Sequence, residues 1–376
     1  MKMAQLKLNS IQVMRGIAAL MVVGFHYRTS LNGVYAQTNL GDLLFLNGAF
    51  GVDLFFIISG FIIVYSTKNK AENTPLSFFI KRIFRIYPVY IIALSLLLMG
   101  VFWDFSTGSF PQTWFDWKDI VKSYLFITSD MSQQGPFYGY GLLYPSWTLI
   151  YEVYFYFVFM MCLMVSHKYR TLLTVVIITS VVIFGQLIFS GGITLDPYTV
   201  SVGETSRLID HIKFVINPIV FDFIIGVVFA EAYIAINKDS YKKNTIGIIA
   251  VAFVIYSLSA LLTQYKSGHG VMNGGMIASF LFVGLVIIEN RHDIEFPRFF
   301  CHLGDLSYSI YLIHIPVGLF FAKYGAEIPW YPKQLGWAKF LTDLMSAYLL
   351  SLVMFNYIEK PSVLIGKRVI NKLRSK

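Results

Sequence analysis

Ile11-Gln-Val-Met-Arg-Gly-Ile-Ala-Ala-Leu-Met-Val-Val-Gly-Phe-His-Tyr27 reads as a membrane span, yet it carries Arg15 and His26. At about 100° and 1.5 Å per residue, a helix brings these two side chains to within about 20° around its axis and about 16 Å apart along it. An ionisable side chain inside a bilayer is costly, so two on one face call for a reason beyond packing. The plain alternative has Arg15 snorkelling to one interface and His26 capping the other end.

The rest of the chain repeats the apolar theme. Of 376 residues, 56% are hydrophobic and only 14% charged, far too little charge for a soluble domain of this length. The expected fold is all-α, a polytopic transmembrane helix bundle of about ten spans. They fall near 11–30, 46–66, 84–103, 145–165, 171–190, 215–236, 245–263, 271–289, 304–322 and 338–358. The first run holds Arg15 and has no small-residue cleavage site, so it is expected to stay as a helix rather than leave as a signal peptide. No internal repeat or low-complexity tract breaks the pattern, so residues 1–376 read as a single integral membrane domain. The short stretch beyond the tenth span is expected to leave no room for an appended soluble domain.

The net charge of +9 is a topology signal. With the N-terminus inside, the inner loops and the tail collect most of the 30 Lys and Arg residues, which places both termini in the cytoplasm. This distribution argues against a nucleic-acid partner and for contact with membrane lipids. The two cysteines, Cys162 and Cys301, exclude a disulfide framework and a cysteine-rich metal site, and the scattered histidines suggest no metal. All six tryptophans fall on the outer side in this topology. An interfacial belt accounts for such residues, but a belt normally has two girdles. Trp114, Trp117 and Trp147 are therefore also candidates for stacking on sugar rings. The outer loop around Gly135-Pro-Phe-Tyr-Gly-Tyr-Gly-Leu-Leu-Tyr144 has the glycines and aromatics of a binding loop more than of a linker.

Three ionisable residues are expected at one depth near the outer side. His26 closes the first span, Asp53 enters in Gly51-Val-Asp-Leu-Phe-Phe-Ile-Ile-Ser-Gly-Phe61, and Glu152 lies about two turns into the fourth span. A carboxylate holding one imidazole nitrogen leaves the other free as a general base. The alternative is a buried polar group that only fixes helix packing. At the cytoplasmic side, Lys81-Arg-Ile-Phe-Arg-Ile-Tyr-Pro88 sets Arg82 and Arg85 three apart, with Pro88 bending or starting the third span. Two guanidiniums suit a phosphate, although a basic cluster beside a span also touches anionic lipid. A ligand with phosphates at one end and a thioester at the tip of a long arm, coenzyme A, matches the Arg15–His26 spacing.

Taken in order, Arg15 and His26, Gly51 to Phe61, Arg82-Ile-Phe-Arg-Ile-Tyr-Pro88, Trp147-Thr-Leu-Ile-Tyr-Glu152, Leu303-Gly-Asp-Leu-Ser-Tyr-Ser-Ile-Tyr-Leu-Ile-His314 and Glu359-Lys-Pro361 resemble the acyltransferase-3 family of integral membrane acyltransferases. The resemblance is to the stand-alone type, without a C-terminal SGNH domain. It implies transfer of an acyl group, usually acetyl, from cytoplasmic acyl-CoA to a hydroxyl of an extracytoplasmic glycan such as O-antigen, capsule or exopolysaccharide. The setting implied is the bacterial inner membrane, with acetyl-CoA as donor and succinyl-CoA as the alternative. By motif, His26 corresponds to the family's essential histidine, Arg15 to its paired basic residue, and Arg82 and Arg85 to its Arg-x-x-Arg element. Tyr308, Tyr311 and His314 are implied as supporting residues.

The expected mechanism holds the donor phosphates on Arg15, Arg82 and Arg85 and brings the thioester to His26. His26 then acts as general base or as transient acyl carrier, oriented by Asp53 or Glu152. Tyr308, Tyr311 or a backbone N–H near Gly60 are candidates to steady the oxyanion. The competing reading is a proton-coupled transporter or flippase for a lipid-linked sugar, with His26, Asp53, Glu152 and His314 as its relay. A flippase has no use for a phosphate clamp, which favours the enzyme.

Overall fold

The computed structural model describes residues 8–69, 74–103, 110, 116–128, 133–202, 211–236, 243–292 and 294–374. Among these residues ten long helices follow the ten expected spans. They are α1 (Asn9–Tyr27), α2 (Phe50–Ser66), α3 (Pro75–Leu97), α4 (Ser146–Val165), α5 (Arg170–Phe189), α6 (Val220–Ala235), α7 (Asn244–Leu262), α8 (Gly274–His292), α9 (Arg298–Tyr324) and α10 (Trp337–Met354). A further helix, α11 (Lys360–Arg374), continues from α10 through a π turn, Phe355–Glu359. Eight helical stretches among the described residues are long and apolar enough to cross a membrane. The other two are α1, which carries Arg15 and His26, and α6, which has only 16 residues. The chain is a multi-pass membrane protein.

The helices alternate in direction, and hydrogen bonds tie their ends together on two faces. On the face where α1 begins, hereafter the N-terminal face, Asn9 N and Ser10 N donate to the Glu289 carboxylate of α8 at 2.8 and 3.1 Å. A carboxylate there satisfies amides that the first turn leaves open and opposes the helix dipole favourably. On the same face Arg170 Nε donates to Thr67 Oγ1 at 3.3 Å, joining the start of α5 to the end of α2. On the far face Asn47 Nδ2 donates to Ala260 O at 3.2 Å. Arg28 and Asp42 pair there at 2.8 Å, holding the short helix Leu40–Phe45 under the end of α1.

Burial separates the core from the rim. The stretch containing α2 is 78% buried within the bundle, whereas the α5 and α7 windows are only 22% buried and present their Leu, Ile and Val side chains outward. The most extensive packing is between α1 and α9, followed by α2 and α6. Without a hydrophobic drive between helices in lipid, small residues that let backbones approach closely decide such contacts. At the α1–α9 crossing Gly16 faces Leu303 and Gly304 faces Gln12. A Cβ on Gly304 would fall 1.9 Å from the Gln12 carbonyl oxygen.

Two boundaries depart from expectation. The third span starts at Pro75, not near residue 84, so Arg82 and Arg85 lie inside a continuous helix that runs through Pro88. Thr74 Oγ1 caps that helix by accepting from Ser77 N at 3.2 Å, and Pro75 suits the first helical turn, where no N–H is needed. Polar residues in the first turns hid this start from a reading based on apolar runs. Likewise the tenth helix does not stop near residue 358: a π turn, Phe355–Glu359, carries it past Pro361, and helix continues to Arg374.

The α1–α9 crossing gives a direct expectation. Gly304→Val, by forcing the two backbones apart, should destabilise the protein by about 1–3 kcal/mol, the usual range for overpacking. Gly100→Ala, where no atom lies within 4 Å of the added carbon, should leave stability unchanged. Thermal unfolding in detergent, followed by size-exclusion chromatography, measures both.

Candidate active site

The α1–α9 crossing sets two imidazoles against each other. His314 Nε2 lies 3.1 Å from His26 Nδ1, and the ring centroids are 5.0 Å apart. The surrounding carbonyls assign the protons. His314 Nδ1 faces Ile310 O at 3.2 Å, and a carbonyl only accepts, so that nitrogen carries hydrogen. In the neutral ring His314 Nε2 is then an acceptor. His26 Nδ1 faces this acceptor and also Val22 O at 2.9 Å, so it too carries hydrogen. What remains is His26 Nε2, a lone pair with no protein partner among the described residues. Tyr27 fixes the arrangement from below by donating its hydroxyl to His314 O at 2.5 Å.

Three adjoining cavities run through the bundle. The first opens at the N-terminal face and is lined by Arg15, Lys81, Arg82, Arg85, Asp305, Glu359 and Lys367 among others. The second, central cavity shares Arg15, Arg82 and Arg85 with the first, adding Ser59, Glu152, Tyr156 and Tyr308. The third lies toward the far face and is lined by His26, Phe137, Tyr140, Tyr144, Trp147, Tyr198 and His269. Val52 and Tyr311 line both the central and the far cavity, so they form the neck between them. The Tyr311 hydroxyl sits there 2.8 Å from Thr148 Oγ1 and 3.2 Å from Pro145 O, with its ring centroid 6.1 Å from that of His314.

Arg15 and Arg82 are buried with little to hold them, and Arg85 is half-buried beside them. Arg82 is 9% exposed; its Nη2 donates to Ser66 Oγ at 3.3 Å, its guanidinium stacks between Phe78 and Tyr156, and its Nε has no hydrogen-bond partner among the described residues. Arg15, 8% exposed, has one long bond of 3.4 Å to Gln12 Oε1. Neither these two nor Arg85 forms an ion pair among the described residues. A buried guanidinium with an unmet N–H, beside two others in an open cavity, is matched to an anion with several acceptor oxygens. Glu152, in the same cavity, accepts from Ser59 Oγ at 3.0 Å and from the Tyr156 hydroxyl.

The expectation that His26, Asp53 and Glu152 converge is therefore corrected. Glu152 belongs to the arginine cavity. Asp53 turns toward the loop before α8, where Oδ2 accepts from His269 Nδ1 at 2.9 Å and Oδ1 from Gly270 N at 2.6 Å. Position along one helix is legible in a sequence, but the level and rotation of one helix against another are not. His314 takes the place against His26 that a carboxylate was expected to hold. Tyr308 donates to Ile86 O at 2.8 Å within the central cavity, and Gly60 faces the backbone of α6, so neither lines the His26 cavity; Tyr311, at the neck, lines it and packs against His314.

Of the three tryptophans expected to bind a sugar, Trp147 lines the far cavity. Trp117 is 68% exposed on the short helix Trp117–Tyr124 and lines none of these three cavities, which suits interfacial anchoring. Trp114 lies outside the described residues. The loop around Phe137, Tyr140 and Tyr144 does wall the far cavity. Sequence reasoning missed His269 and Tyr198 there. Tyr198 accepts the His269 N–H at 3.0 Å, and burial pushes its phenol up to about 12. The available signal was Gly268-His-Gly270, a histidine between glycines that both adopt positive φ, 98° and 92°. Among the described residues no group of three or more His, Cys, Asp or Glu side chains is placed to hold a metal ion.

The sequence model of a family described as an acyltransferase domain matches residues 8–356. The chain is 25% identical over 327 residues to the exopolysaccharide production protein ExoZ of Rhizobium meliloti, covering 86% of this chain and 92% of ExoZ. It is 23% identical over 367 residues to the O-acetyltransferase OatA of Staphylococcus aureus, covering 89% of this chain but only 57% of OatA. A shorter match, 27% identical over 157 residues, is to the acyltransferase MdmB of Streptomyces mycarofaciens, covering 41% of this chain and 38% of MdmB. No solved structure matches the chain.

An arginine kept buried without an ion pair serves a ligand at the expense of the fold. Arg82→Met should therefore leave the unfolding temperature of the ligand-free protein unchanged or raise it. A drop of several degrees would instead make Arg82 a structural residue.

Proposed function

The chain belongs to the acyltransferase family whose domain residues 8–356 match, and from that premise we propose that it is an O-acyltransferase of the bacterial inner membrane, moving an acetyl group from cytoplasmic acetyl-CoA to a hydroxyl of a cell-surface polysaccharide. The observation that carries this reading is the string of cavities with an unpaired arginine cluster at one end and a free imidazole nitrogen at the other. Coenzyme A has phosphates that suit the first and a thioester arm that suits passage past Tyr311 to the second. ExoZ is named for exopolysaccharide production and OatA for O-acetyl transfer, which supports a glycan acceptor. The positive-inside bias supports placing the arginine end in the cytoplasm. The aromatic walls of the far cavity, Phe137, Tyr140 and Trp147 among them, suit the apolar faces of sugar rings.

In this mechanism Arg15, Arg82 and Arg85 hold the donor phosphates by charge-assisted hydrogen bonds. His26 Nε2 meets the acyl carbon in the far cavity, with His314 fixing the tautomer that keeps that lone pair available. Two routes use the lone pair: attack on the thioester to make an acyl-imidazole, or removal of the proton from an attacking hydroxyl.

Purified protein in detergent, given acetyl-CoA or succinyl-CoA, tests the reading by release of free CoA. Loss of a charge-assisted bond is worth about 1.5–3 kcal/mol, so Arg82→Ala should raise the donor KM about tenfold to a hundredfold with a smaller change in kcat. His26→Ala should lower kcat by about 10²–10⁴ while donor binding persists. Folded wild-type protein that neither binds nor consumes either thioester would overturn the reading and return the flippase to the front.

A further inference from the structure

We propose that His269, held by Asp53, is the base that takes the proton of the acceptor hydroxyl, and that His26 therefore carries the acyl group; this rests on the acyltransferase reading above. Two imidazoles line the far cavity, and they are backed differently. His26 is backed by a second neutral imidazole, His314. His269 is backed by a carboxylate: Asp53 is fully buried, and its Oδ2 lies 2.9 Å from His269 Nδ1. With Asp53 as acceptor, Nδ1 carries the hydrogen and Nε2 is the free lone pair, with no protein partner among the described residues. A histidine in this tautomer, with a carboxylate to stabilise the imidazolium that forms, is the arrangement that suits a general base.

The local structure is built to hold this pair. Gly270 N donates to the other Asp53 oxygen at 2.6 Å, and the Tyr198 hydroxyl accepts His269 N–H at 3.0 Å. The start of α8 comes close enough that a Cβ on Gly274 would fall 2.9 Å from Asp53 Oδ2. Asp222 of α6 is buried beside Asp53 with no N–H or hydroxyl donor on its carboxylate oxygens among the described residues, whereas Asp53 has two donors, His269 Nδ1 and Gly270 N. Trp147 and Phe137 pack edge-on to the His269 ring at 5.5 and 5.8 Å. A sugar seated against Trp147 thus has its hydroxyls next to His269.

The steps balance. His26 Nε2 attacks the thioester carbon, the C–S bond breaks, and CoA leaves as thiolate. The His26 Nδ1 proton passes to His314 Nε2, leaving a neutral acyl-imidazole. An acceptor hydroxyl then gives its proton to His269 Nε2 as its oxygen bonds to the acyl carbon and the C–N bond breaks. His314 returns its proton to His26, and His269 releases its own to water, which offsets the proton taken up by the CoA thiolate.

The test separates the two halves, with water and methyl glucoside as acceptors. Wild type should show a burst of CoA release followed by slower turnover. His269→Ala should keep the burst within about threefold, lose about 10²–10⁴ in steady turnover, and leave an acetyl group on His26 detectable by mass spectrometry. Hydroxylamine, a nucleophile that needs no base at neutral pH, should restore turnover to His269→Ala but not to His26→Ala. Asp53→Asn, a change at the positioning residue, should follow His269→Ala with its burst retained. Steady turnover unchanged in His269→Ala, or loss of the burst in both His269→Ala and His269→Gln, would overturn the proposal. A wild-type protein that makes no use of acetyl-CoA at all would instead remove the acyltransferase reading beneath it.

Discussion

The close approach of α1 and α9, permitted by Gly16 and Gly304, is the constraint on which the rest of the site depends. It brings His26 and His314 into contact and so determines which ring nitrogen of each carries hydrogen. It also fixes Arg15 on the opposite part of the same α1 face, at the wall of the two arginine cavities. The distance between cationic and imidazole ends is thus set by one rigid helix, and that helix is anchored at its start by Glu289 and at its end by Arg28 and Asp42. Glycine at the crossing is a packing requirement that becomes a chemical one.

The arginine end and the imidazole end solve opposite physical problems. Three guanidiniums within a membrane bundle would ordinarily be paired with carboxylates, and here none is, among the described residues. Rings of Phe78 and Tyr156 cover Arg82 without neutralising it. Of the carboxylates that do lie near, Glu152 and Glu359 have their own hydroxyl donors, Ser59 and Tyr156 for the first and Ser309 at 2.6 Å for the second. At the other end the His26–His314 pair keeps a basic nitrogen available, with no carboxylate bonded to either ring among the described residues.

The helical bundle was largely legible in the sequence, since each apolar run is long enough to be a span and the basic loops alternate with the aromatic ones. The two misplaced boundaries, before Pro75 and after Glu359, both fall where amphipathic helix extends past the apolar run. For the site, spacing along one helix was readable: Arg15 and His26 lie on α1 as the eleven-residue interval implies, and Arg82 and Arg85 line one cavity. Relations between helices were not. Asp53 and Glu152 were expected at one depth, but Glu152 meets Ser59, further along α2 than Asp53, and each points to its own neighbours, because the level and rotation of one helix against another are set by packing partners that a single sequence does not name. His269 escaped notice because it sits in a loop, where a lone histidine has no periodicity to mark it.

In this account the acyl-CoA spans the bundle, its phosphates on the arginines and its acyl end past Tyr311 in the far cavity. The most direct measurement is a structure of the protein with a thioether analogue of acetyl-CoA that cannot transfer its acyl group. Phosphate density is expected against Arg15, Arg82 and Arg85, with continuous density through the neck at Val52 and Tyr311 and the acyl carbon within reach of His26 Nε2. An analogue bound with its phosphates on the far face, or with its arm outside the central cavity, would contradict it.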